Sequence, residues 1–212
     1  LKGNTIVKVR DIELTANEFT GSLSERDDRP SLPGDFAIWI FIFAEMLAFG
    51  VLFITFAFAR AGDVEMYNAS QQTLNQTAGL INTILLITSS YFVACAVAAI
   101  SSGNARHCAN WLTGAVMLGG CFVAVKIFEF SEKIDSGISL STNSFYMFYL
   151  SLTFFHLMHV LMGMVILGFI IVKARRGGYS RKQHTGVETG ASFWHMVDLL
   201  WIILFPLVYI MH

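Results

Sequence analysis

Residues 36–59 read FAIWIFIFAEMLAFGVLFITFAFA, and Glu45 is the only charged side chain among them. A run of this length can cross a membrane, because ~30 Å of hydrocarbon takes about 20 apolar residues at 1.5 Å per residue. It lies between Pro33-Gly34-Asp35 and Arg60-Ala61-Gly62-Asp63, with Asp35 placed to cap its start. Four further runs follow, at about residues 78–100, 111–130, 145–172 and 191–211. The second is the most polar, carrying Asn82, Thr83, Thr88, Ser89 and Ser90. The fourth exceeds one bilayer thickness and is expected to tilt or project. The predicted fold class is all-α and integral to a membrane: five transmembrane helices bundled over residues 35–212.

Residues 1–34 carry no long apolar run and read as a polar cytoplasmic N-terminal arm. A 34-residue polar stretch before the first apolar run is not a cleavable signal peptide. Residue 1 is Leu, so a preceding segment is expected.

Of the 212 residues, 55% are apolar and 14% charged, with a mean hydropathy of +0.59. That composition argues against both disorder and a soluble fold. The 14 Lys/Arg and 15 Asp/Glu sum to −1, and no basic block suggests a nucleic-acid surface. Cys95, Cys108 and Cys121 match no C-x-x-C pattern and read as small packing residues.

Orientation follows from the positive charges. With five spans, one side holds Lys2, Lys8, Arg10, Arg26, Arg29, Arg106, Lys173, Arg175, Arg176, Arg181 and Lys182, and the other only Arg60 and Lys133. Eleven against two predicts an N-terminus on the cytoplasmic side and a C-terminus on the opposite side of the membrane.

An Asp or Lys at mid-membrane costs roughly 2.5–3.5 kcal/mol on insertion scales, so each ionisable residue inside a span needs a reason. There are seven: Glu45, Lys126, Glu129, His156, His159, His195 and Asp198. Three pairs sit at i, i+3 and share a helix face: Lys126 with Glu129, His156 with His159, and His195 with Asp198. Glu45, about 14 Å into its span, has no partner on its own helix. A carboxyl group at that depth loses hydration and favours a hydrogen bond across the bundle, with His159 and His195 as candidate partners. Asp198 competes for His195 through the other ring nitrogen.

A di-iron bundle needs paired Glu-x-x-His repeats, and none occurs. His107, His184 and His212 fall in loops or at the end, which leaves too few histidines for a desaturase-like centre. A bis-histidine haem remains open, with His159 or His156 facing His195. So does the plainer reading, in which these groups hydrogen-bond between helices and fix their register. No phosphate loop, nucleophile elbow or His-Glu-x-x-His supplies a catalytic constellation, so no catalytic or metal-binding residue is assigned. Gly177-Gly178 reads as the cap and turn after the fourth span.

Four stretches resemble subunit III of the haem-copper respiratory oxidases. They are Phe155-His156-Leu157-Met158-His159-Val160-Leu161-Met162-Gly163, then His184-Thr185-Gly186-Val187-Glu188, then Phe193-Trp194-His195-Met196-Val197-Asp198-Leu199-Leu200-Trp201, and Glu45 in Phe43-Ala44-Glu45-Met46. The likeness covers about residues 32–212. Leu32-Pro33-Gly34-Asp35, Gly79-Leu80-Ile81-Asn82-Thr83 and residues 141–149 are more similar to the E-subunit branch associated with bacterial nitric oxide reductase. The reading these stretches favour is therefore an accessory subunit of nitric oxide reductase, with subunit III of a bacterial cytochrome or quinol oxidase as the alternative.

The resemblance implies an accessory subunit with no redox centre of its own, resting against a catalytic membrane subunit that holds the haems and metal. It implies bound phospholipid, support for gas and proton pathways, and a polar network of Glu45, His156, His159, Glu188, His195 and Asp198, with Lys126 and Glu129 as a second pair. Trp194, Trp201, Arg175 and Arg176 are expected to touch lipid or the partner. An independent membrane carrier is the competing class, although Pro206 is the only proline inside a span.

Overall fold

The computed structural model describes residues 36–181 and 183–211. The arm at 1–34, the Asp35 cap, Lys182 and His212 lie outside the described residues. Among the described residues six α-helices follow one another: α1 Phe36–Gly62, α2 Val64–Gln71, α3 Gln76–Ser101, α4 Ala105–Asp135, α5 Ser144–Arg175 and α6 Thr185–Phe205. A π-helical turn, Pro206–Ile210, prolongs α6. Five of these helices, α2 excepted, are long and apolar enough to cross a membrane, and no strand occurs among the described residues.

The first four transmembrane helices outrun the apolar runs that announced them, and the fifth starts six residues before its run, at Thr185. The third span, expected from residue 111, begins at Ala105 and ends at Asp135, so His107 stands in its first turn and not in a loop. Hydropathy marks where hydrocarbon ends, whereas the backbone hydrogen bonds of a helix continue into the polar zone at little cost. The short helix α2 was not anticipated. Asp63 starts it by accepting a hydrogen bond from the Met66 amide at 3.2 Å.

Asn75 and Asn143 cap α3 and α5 in the same way, through the amides of Ala78 (3.1 Å) and Tyr146 (2.9 Å). At the end of α5, Gly177 adopts φ +74°. There Gly178 N–H reaches the Lys173 carbonyl at 3.0 Å and Gly177 N–H the Ala174 carbonyl at 3.1 Å. This is the glycine cap expected at that position. The same motif closes α3 before Gly103 and α4 before Gly137.

Helices α3, α4, α5 and α6 pack as a bundle, with α6 against both α3 and α5. Within its apolar window 61% of α6 is buried, against 11% of α1. The first helix is attached by a narrow seam, Ile42, Phe49 and Phe56, spaced seven apart. Phe56 meets Tyr67 and Phe148 edge-on at 5.5 and 5.9 Å between ring centroids.

Trp194 and Trp201 sit in the core at 1% and 0% exposure, which corrects the expectation that they touch lipid or a partner. The Trp194 indole lies between two backbones. A methyl group on Gly119 of α4 would stand 2.8 Å from its Cη2, and one on Gly163 of α5 2.8 Å from its Cε3. Only glycine at both positions lets three helices close around so large a ring.

Candidate functional site

The polar residues buried in the spans form several separate clusters. In the first, α4 contributes Lys126 and Glu129, both buried, with Nζ and Oε2 at 2.8 Å. Lys126 also donates to the Tyr209 hydroxyl at 2.7 Å, and its ammonium lies 4.8 Å from the Trp201 ring centroid. Glu129 Oε1 accepts from the hydroxyls of Tyr149 (2.8 Å) and Tyr209 (2.6 Å). Each donor of the ammonium therefore has a target, and both carboxylate oxygens are occupied.

Pro206 makes this arrangement possible. It lacks the N–H that would continue α6, and the chain widens into a π-turn in which Met211 N–H bonds the Pro206 carbonyl at 3.0 Å. The extra residue in the turn lets Val208 and Tyr209 both face inward, each at 0% exposure. Tyr149 and Tyr209 were absent from the sequence-based set. A phenol among six tyrosines carries no pattern, and Tyr209's direction depends on the turn.

The second cluster joins α1 to α5. His159 Nε2 lies 3.1 Å from Glu45 Oε2, and His159 Nδ1 lies 2.8 Å from the Phe155 carbonyl oxygen. A carbonyl only accepts, so Nδ1 carries a proton. Nε2 then either accepts from a neutral Glu45 or donates to a carboxylate. One proton is shared in both cases, and the pair is electrically neutral overall. It lines an open groove of about 640 Å³ whose other walls include Leu47, Phe49, Val51 and Phe155.

His156, one turn away, does not pair with His159. Its ring is fully buried between Phe122 (5.7 Å) and Trp201 (5.1 Å). On α6, His195 Nδ1 is 2.6 Å from the Ser90 hydroxyl of α3, so His195 faces neither Glu45 nor a second imidazole. Near the start of α6, His184 Nε2 approaches Glu188 Oε1 at 3.3 Å. Arg175 reaches the Thr113 hydroxyl at 3.3 Å, and both Arg175 and Arg176 are exposed.

The bis-histidine haem arrangement therefore does not form: His159 is turned to Glu45, His195 to Ser90, and His156 is walled in by aromatic rings. Among the described residues, no group of three or more His, Cys, Asp or Glu could hold a metal ion. The chemistry this arrangement supports is hydrogen bonding between helices, with one proton held at the α1–α5 groove.

Known proteins agree with this architecture. The family profile described as cytochrome c oxidase subunit III matches residues 29–212. A protein named cytochrome c oxidase subunit 3, from Thermostichus vulcanus, is 32% identical over 173 residues, covering 81% of this chain and 84% of that protein. Quinol oxidase subunit 3 of Bacillus subtilis is 29% identical over 176 residues, 82% of this chain and 84% of its own length. The haem-copper oxidase subunit I+III of Aeropyrum pernix is 28% identical, with 82% of this chain matching 22% of that longer protein. The chain belongs to the cytochrome c oxidase subunit III family.

Proposed function

We propose that the chain is the non-catalytic subunit III of a bacterial terminal oxidase, oxidising cytochrome c or a quinol, in the inner membrane. It packs against the catalytic membrane subunit that carries the haems and metal. The observation that carries this reading is the disposition of its costly polar groups. Lys126 is bonded to Glu129 and Glu45 to His159, which suits a scaffold beside a reaction centre.

The oxidase branch comes before the nitric oxide reductase branch, because the relatives above carry oxidase names. The stretches at 32–35, 79–83 and 141–149 keep the second reading in play. Phospholipid tails fill the groove between α1 and α5, whose lining is mostly apolar. The role follows from the whole: holding the complex together, seating lipid, and supporting gas and proton access to the catalytic subunit. The N-terminus is cytoplasmic and the C-terminus periplasmic, on the eleven-to-two distribution of positive charge.

Affinity purification of the tagged chain from its native membranes tests the reading. A haem-bearing subunit should travel with it, and the preparation should consume oxygen with cytochrome c or quinol as donor. Consumption of nitric oxide in place of oxygen would move the assignment to the reductase branch. Purification without any haem-bearing chain would sink both.

A further inference from the structure

The imidazole of His195 is exposed near the middle of its span. His195 lies close to the centre of the apolar segment Thr185–Ile210, roughly 4 Å from its midpoint at 1.5 Å per residue, and it is exposed. Ser90 holds Nδ1 at 2.6 Å. Among the described residues Nε2, on the far side of the ring, has no hydrogen-bond partner.

His195 lines a groove of about 280 Å³ between α3 and α6, together with Ala94, Val97, Glu188, Ala191 and Ser192. Ala94 and Ala98, four residues apart on α3, are both exposed. Small side chains at that spacing allow another helix to approach backbone to backbone.

Lipid does not suit this position. Acyl tails offer no hydrogen-bonding atom, and headgroups lie about 15 Å from the bilayer centre, so tails alone would leave an imidazole nitrogen unsatisfied in hydrocarbon. The outer face of α1 contrasts with it. That face is more extensive, with Phe36, Phe43, Leu47 and Phe58 each more than 60% exposed, but the carboxyl group of α1, Glu45, is bonded to His159 of α5. Tails can cover α1 without leaving a polar atom bare.

We infer that the α3–α6 face is the docking surface for the catalytic subunit: one of its transmembrane helices lies along Ala94 and Ala98 and presents a hydroxyl or amide side chain to His195 Nε2. A hydroxyl or an amide both donates and accepts, so it satisfies either tautomer of the imidazole. This inference rests on the proposed function and names the surface through which that function is assembled.

The test uses the complete complex in native membranes. A photo-reactive p-benzoylphenylalanine is placed at Ala98, and in separate strains at Met117 and Leu47, which are 69% and 71% exposed on α4 and α1. Irradiation should give an adduct with the haem-bearing subunit from position 98 and none from 117 or 47. In parallel, His195→Phe should lower the ratio of this chain to the catalytic subunit after detergent purification by roughly three- to tenfold, the worth of one interhelical hydrogen bond. His195→Gln should restore most of that ratio.

A purely structural role for His195 would instead reduce the chain's own abundance in the membrane, which the inference expects to be unchanged. Adducts from 117 or 47 but not 98, in a chain that still purifies with the haem-bearing subunit, would overturn the docking surface and leave the proposed function standing. Absence of the haem-bearing subunit from the purified material would overturn the proposed function itself, and this inference with it.

Discussion

Replacing Lys126 by Met removes the cation of a buried pair while nearly conserving side-chain length. Glu129 would keep its bonds from Tyr149 and Tyr209 but lose the ammonium 2.8 Å from Oε2, in a setting where its side chain is 4% exposed. Breaking a buried ion pair from one side costs about 3–5 kcal/mol, because the remaining charge is uncompensated. Removing both charges does not carry that penalty. In Lys126→Met/Glu129→Gln the amide oxygen still accepts from the tyrosines, and the methionine fills the space beside Trp201. The double variant should fall within about 1 kcal/mol of the parent, since a neutral replacement for a buried pair is often neutral in stability. The coupling between the two sites is then at least about 2 kcal/mol, measurable by a double-mutant cycle. The assay is denaturant unfolding of the detergent-solubilised subunit, followed by tryptophan fluorescence, for the parent, both single variants and the double. Trp201 lies 4.8 Å from the ammonium and reports directly. If the double variant is as unstable as the sum of the singles, the pair is not a closed, mutually compensating unit, and the reasoning fails.

Tyr209→Phe removes the hydroxyl that accepts from Lys126 and donates to Glu129. It should cost about 1.5–3 kcal/mol in the same unfolding assay, the range for bonds to charged groups; a loss under half a kilocalorie would show that water replaces the phenol. Glu45→Gln should keep assembly and most turnover, because an amide N–H can donate to His159 Nε2. Glu45→Leu leaves that nitrogen unpaired and should reduce subunit retention or sustained turnover. Loss of turnover in Glu45→Gln with assembly intact would mean that the shared proton moves during function. Gly163→Ala should destabilise by about 1–3 kcal/mol, since its methyl group would meet Trp194 at 2.8 Å. Trp194→Phe in the same chain should recover part of the loss, and an unchanged stability in Gly163→Ala would refute the packing. A cysteine at Gly178 should react with an impermeant reagent only from the cytoplasmic side; labelling from the periplasmic side alone would reverse the orientation.

What could be read from the residues, and what could not, divides along a physical line. Cost is legible. A carboxylate or ammonium inside an apolar run is expensive whatever its neighbours, so Glu45, Lys126 and Glu129 stood out, and the i, i+3 spacing of the last two already placed them on one face. His159 was among the possible partners of Glu45 for the same reason. Phase is not legible. Choosing between His159 and His195 requires knowing which face of α5 meets α1, and that is set by ridges packing into grooves along the whole helix, not by the two residues concerned.

The same limit explains the other misses. His156 and His159 share a helix face in projection, yet Phe122 and Trp201 close around one while the other opens to a groove. Trp194 and Trp201, expected to touch lipid or the partner, lie in the core instead. Trp194 is buried because glycines on two other helices, Gly119 and Gly163, leave room for its ring, and Trp201 because it packs against Phe122 and His156; of the two glycines only Gly163 lies in a motif quoted from the sequence. Tyr209 depended on a single register step at Pro206. The step also gives the bundle its closure: without the extra residue in the turn, the phenol would rotate by about a quarter turn or more. The hydroxyl bridging Lys126 to Glu129 would then be lost. The pair that was easiest to see in the sequence is therefore completed by a residue whose position no periodicity predicts.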